Sequence, residues 1–81
     1  MVRAHIRLNT TREVQNFVAS INSDGTAEKY VITDAENHYK ADARSMLGVF
    51  YAMSEFNDNM YLVNETVDGK FPSSIDQYRV L

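Results

Sequence analysis

Apolar and polar residues alternate at the start of the chain, where Val2, Ala4, Ile6 and Leu8 are separated by Arg3, His5 and Arg7. A period of two predicts a β-strand with one buried face and one wet face. The period then changes: Val14, Phe17, Val18 and Ile21 recur at helical spacing, with Gln15, Asn16 and Ser20 turned away, which predicts an amphipathic helix. Thr10 and Glu13 stand ahead of that stripe at the spacing of a capping box, in which the hydroxyl meets the N3 amide and the glutamate reaches back. Asn22-Ser23-Asp24-Gly25 predicts the helix end, because glycine accepts the left-handed conformation that stops helices.

From Glu28 to Ala35 the strand-favouring residues Tyr30, Val31, Ile32 and Thr33 predict a second strand. The polar run Ala35-Glu36-Asn37-His38 then turns into a third, Tyr39 to Ala43, to make a hairpin. Asp42 to Val49 reads as a helix entrance. Serine and aspartate are favoured N-caps because a side-chain oxygen accepts from the free amides of the first turn, and Ser45 stands where that oxygen is needed. The segment that follows, Met46 to Glu55, is apolar on more than one helical face. Val49 and Met53, with Phe50 or Met46, form a stripe that faces the sheet. The surplus methionine and aromatic residues either fill an irregular core, the first reading, or form an exposed contact patch, the second. Asn57-Asp58-Asn59 is loop, Met60 to Thr66 is a strand, and Asp68-Gly69 is a turn. Ser73 is placed to cap a short last helix that carries Ile75 and Tyr78 inward.

This order places the helices of one α+β domain, residues 1–81, on one face of an antiparallel sheet. An apolar fraction of 44%, a charged fraction of 23% and a net charge of −3 are ordinary for a globular domain. Eight Lys and Arg residues dispersed among eleven acids leave no basic groove, so a nucleic-acid partner is not expected. With no cysteine there is no disulfide framework and no thiolate chemistry. Apolar runs far short of the ~20 residues of a membrane span, and a start without a signal-peptide core, predict a cytoplasmic protein with no membrane partner. Asn9-Thr10-Thr11 and Asn64-Glu65-Thr66 match the glycosylation pattern by chance in that setting. His5 reads as a surface strand residue. Asp34, Glu36 and His38 read as hydrated charges at a loop tip rather than a metal site. Without a glycine-rich phosphate loop or a Ser/His/Asp set, neither catalytic residues nor a cofactor is expected.

Ser45 remains open between a plain cap and a cap that is also a phosphorylation switch, since a helix N-terminus tolerates an added phosphate. The run Ala43-Arg44-Ser45-Met46-Leu47-Gly48-Val49 resembles the regulatory-serine region of HPr, the small phosphocarrier of the bacterial sugar phosphotransferase system. Ile6-Arg7-Leu8-Asn9-Thr10, leading into Val14, Phe17, Val18 and Ile21, is similar to a branch of HPr-like proteins that lack the phosphocarrier histidine. The resemblance covers residues 2 to 66. It implies an HPr-like open-faced β-sandwich: a four-stranded antiparallel sheet in order 1-4-2-3 with two helices and a short C-terminal helix on one face. It implies a non-catalytic regulatory or protein-binding module, with Ser45 modified by a kinase and with Met46, Leu47 and Phe50 in an apolar docking patch. The implied partners are a kinase or a transcription regulator of HPr type. Where phosphocarrier members place Gly-x-His-x-Arg-Pro, this chain has Asn9-Thr10-Thr11-Arg12-Glu13, and the long third helix of the family is shortened to the stretch after Pro72. Two alternatives stand beside this reading. One is a residual phosphoryl carrier acting through His5 or His38; the other is a small scaffold protein or homodimer joined by the surplus apolar surface of the second helix.

Overall fold

A computed structural model describes residues 2–23, 30–66 and 70–80. The elements are β1 (Val2–Ile6), α1 (Thr11–Asn22), β2 (Tyr30–Asp34), β3 (Lys40–Asp42), α2 (Met46–Phe56), a 3-10 turn (Asn57–Asn59), β4 (Met60–Asn64) and a 3-10 helix (Ser73–Tyr78). The strands form one antiparallel sheet in the order β1-β4-β2-β3, the order that the resemblance implies. β4 inserts between β1 and β2, with Ala4 and Ile32 both opposite Leu62. β1 and β2 therefore run parallel to each other, and a connection between parallel strands needs a crossover, which α1 supplies.

One face of the sheet is buried under the helices. Ala4, Ile6, Tyr30, Ile32, Met60 and Leu62 meet Val14, Phe17 and Ile21 of α1, and Val49, Ala52 and Phe56 of α2, in one core. The predicted capping box starts α1: the Glu13 amide donates to Thr10 Oγ1 (3.1 Å), and the Glu13 carboxylate accepts from the amides of Thr10 (3.2 Å) and Asn9 (2.7 Å). The other face is not covered by the helices and carries Arg3, His5, Val31, Thr33, Tyr61 and Val63, the alternate residues of the same strands, with Thr33 and Val63 buried among their neighbours.

Several boundaries depart from the sequence reading. β4 ends at Asn64 rather than Thr66 because the buried Asn64 side chain turns the chain: its Oδ1 accepts from the Thr66 amide (2.9 Å) and hydroxyl (2.6 Å), and its Nδ2 donates to the Lys70 carbonyl. The last helix is a 3-10 helix, and Ser73 does not cap it; Pro72 precedes it with no side-chain cap, and the Pro72 carbonyl accepts from the Ile75 amide (3.1 Å). Ile75 and Tyr78 are buried as expected, with the Tyr78 ring edge-on to Phe17 at 5.9 Å. Val2 is exposed, at the sheet corner, despite its apolar register. Glu28 at the expected start of the second strand, Asp24-Gly25 at the end of the first helix and the Asp68-Gly69 turn lie outside the described residues.

After the 3-10 helix the chain returns to the sheet. The Arg7 amide donates to the Tyr78 carbonyl (2.9 Å) and the Val80 amide donates to the His5 carbonyl (2.8 Å), which covers the outer edge of β1. On the opposite side β3 is only three residues long, with Lys40 and Asp42 exposed, two features that keep an edge strand from recruiting another chain.

Candidate functional site

The entrance to α2 is built backbone first. Asp42 ends β3 and folds the next residues around its carboxylate, which accepts from the Arg44 amide (2.9 Å), Nε (3.1 Å) and Nη2 (3.2 Å). The guanidinium first, and the amide second, hold the Asp42 carboxyl below its usual range. The Asp42 carbonyl accepts from the Ser45 amide (3.3 Å), and Ser45 takes an extended backbone. Its Oγ accepts from the Gly48 amide (3.3 Å), so Ser45 is the N-cap and Asp42 shapes the turn before it. Asn22 Nδ2 donates both to Val18 O and to Arg44 O, each at 3.0 Å, and ties the C-terminal end of α1 to this turn.

Gly48 has a reason of its own. A Cβ there would lie 2.6 Å from the Asp42 carbonyl oxygen and 3.2 Å from the Asp42 nitrogen. The first turn of α2 rests directly on the end of β3, and no side chain fits between them.

The three apolar residues expected to dock a partner separate. Met46 and Phe50 are half-buried and pack against the core, as does Met53. Leu47 is 82% exposed. The structure adds Tyr51, 42% exposed and four residues after Leu47, hence on the same helical face. That spacing was visible in the sequence. What was not visible is which way the helix is rotated on the sheet, with Val49, Ala52 and Phe56 turned into the core.

Asp34, Glu36 and His38 lie together, with one potential ligand atom of each within 4.8 Å of the others. The Asp34 Oδ1 accepts from the amides of His38 (2.6 Å) and Tyr39 (3.0 Å), while Asn37 adopts a left-handed φ of 64°. This is a turn closed by a nearly buried carboxylate. Burial pushes the Asp34 carboxyl up, but the two amides and His38 together outweigh it and hold the group below its usual range.

His5 lies on the open face of the sheet, stacked on Tyr61 at 4.7 Å, and the Arg3 guanidinium stands 4.3 Å from the same ring. His38 belongs to the turn between β2 and β3. Neither histidine starts a helix.

Fold and site together define a small α+β open-faced sandwich whose second helix opens on a serine cap followed by an exposed leucine. Comparison with protein-family models, with curated proteins and with solved structures found no match to the chain. No helix among the described residues is long and apolar enough to cross a membrane.

Proposed function

We propose that the domain is a non-catalytic binding module of HPr type, which docks a protein partner on the Leu47–Tyr51 face of α2 and is controlled by phosphorylation of Ser45. The observation that carries this reading is the 82% exposure of Leu47 two residues after the capping serine. Burying such a side chain against a partner contributes about 1.5–3 kcal/mol. A phosphate on Ser45 would bring about −1.5 to −2 charges to the edge of that face, at a helix N-terminus that favours them by ~0.3–1 kcal/mol.

The test uses an HPr-type serine kinase with ATP, followed by titration of a purified HPr-type transcription regulator. Phosphate should appear on Ser45 and be absent from Ser45→Ala, and Leu47→Asp should weaken the complex about tenfold or more. Absence of label removes the switch. Equal affinity of wild type and Leu47→Asp removes the docking face, and a concentration-dependent dimer lost in Leu47→Asp would assign that face to self-association instead.

A further inference from the structure

The open face of the sheet holds a depression of about 330 Å³, with Val31, Thr33 and Val63 among its lining and Arg3, Glu36, Lys40 and Glu65 around it. It faces away from α2 and shares no residue with the entrance at Ser45.

Its charges are unequally matched. Lys40 Nζ bridges Glu65 Oε2 at 2.8 Å. Arg3 donates to the Ala35 carbonyl at 3.0 Å and lies over the Tyr61 ring, but no carboxylate among the described residues pairs with it. Glu36 likewise has no cationic partner there. A guanidinium and a carboxylate thus share the wall of one depression without pairing. Between them the lining is apolar: Val63 is 3% exposed yet stands outside the helix-covered core. Thr33 is 1% exposed and its hydroxyl has no hydrogen-bond partner. A buried hydroxyl without a partner is costly and uncommon.

We propose that this depression is a binding site for a small zwitterion, a free α-amino acid with an aliphatic side chain. The ligand carboxylate pairs with Arg3, whose planar fork suits two oxygens. The ammonium group pairs with Glu36, the aliphatic part rests on Val31 and Val63, and the Thr33 hydroxyl gains a polar neighbour. The Lys40–Glu65 bridge is exposed, and pairs of that kind are held weakly, so its side chains move aside on the timescale of rotamer exchange.

L-leucine titrated into the intact protein, followed by amide and methyl NMR shifts, tests this. Saturable shifts centred on Arg3, Val31, Thr33 and Val63 are expected, with a Kd on the order of 1 mM or tighter. Arg3→Gln, which also gives up the contacts with the Ala35 carbonyl and Tyr61 and so melts slightly lower, and Glu36→Gln, which keeps the wild-type melting temperature, should each weaken binding about tenfold. Thr33→Val should melt higher than wild type without ligand and bind leucine less tightly. No saturable shift up to the solubility limit of leucine overturns the proposal. So does equal binding of 4-methylpentanoate, which lacks the ammonium group, or of 3-methylbutylamine, which lacks the carboxylate.

Discussion

Replacing Gly48 by alanine separates two readings of the α2 entrance by the sign of a stability change. In an exposed helix, Gly→Ala stabilises by up to ~1 kcal/mol, because glycine loses the most backbone freedom on folding. Here the added Cβ meets the Asp42 carbonyl oxygen at 2.6 Å, where ordinary contact begins at 3.4 Å, so about 0.8 Å must be found. The obstacle is backbone and cannot rotate away. Asp42 is held in register opposite Val31 of β2, and the same carbonyl accepts from the Ser45 amide at 3.3 Å. Relief therefore strains the β3 pairing or lifts the first turn of α2 off the sheet. Overpacking of this kind costs about 1–3 kcal/mol, and the propensity gain offsets only part of it. A net loss of about 1–2 kcal/mol corresponds to roughly 4–8 °C of Tm per kcal/mol in a domain this size. Urea unfolding with an unchanged m-value and a lower midpoint is the matching chemical readout. A Gly48→Ala protein as stable as wild type, or more stable, would refute the packing account and leave the glycine next to Ser45 to be explained by a partner.

Thr10→Ala removes the cap of α1 and should cost about 0.5–2 kcal/mol, seen as a lower urea midpoint, while Thr10→Ser should recover most of it. Asn64→Leu removes the side chain that turns the end of β4: the Lys70 carbonyl keeps the Tyr30 hydroxyl (3.4 Å) but loses the Asn64 amide, and the Thr66 amide and hydroxyl lose the acceptor they share; a loss of about 1–3 kcal/mol is expected by thermal melting. Stability should also fall in acid. Asp34 and Asp42 have folded pKa values below the ordinary 3.8, so their contribution is present above that value. It is lost as pH drops through the folded values, because the unfolded chain takes up the protons first. Urea midpoints measured from pH 5 to pH 2 should decline more shallowly in Asp42→Asn than in wild type.

Where a local rule sufficed, the sequence was enough. The Thr10–Glu13 box, the stripe from Val14 to Ile21 and the alternation of Ala4 and Ile6 about His5 in β1 each involve residues close in the chain, and each appears where its spacing puts it, although Val2 at the strand start stays exposed. Ser45 as the cap of α2 belongs with them. The turn made by Asn64 did not announce itself, because an asparagine at the end of an apolar strand looks like its last residue until Lys70 and Thr66 are brought beside it. The expected cap at Ser73 failed because the segment forms a 3-10 helix that begins with Ser73 itself, with Pro72, which has no side-chain acceptor, at the capping position.

The four strands, the two α-helices with their Thr10 and Ser45 caps, and the antiparallel α+β plan were thus legible in the chain itself, since periodicity and capping are properties of neighbouring residues. The strand order was reached through the resemblance to HPr, and the sheet adopts it. Tertiary structure alone decided which apolar residues of α2 stay outside: Val49, Ala52 and Phe56 are buried, Met46, Phe50 and Met53 lie half-buried against the core, and Leu47 and Tyr51 are exposed. It also decided that Arg79 and Val80 close the edge of β1, and that Arg3, Thr33 and Glu36, from β1, β2 and the loop after it, line one depression. The physical reason is the same in each case. The rotation of a helix on a sheet and the meeting of distant strands depend on contacts between elements, such as the seating of Gly48 on the Asp42 backbone, too close for a Cβ, for which no local pattern exists.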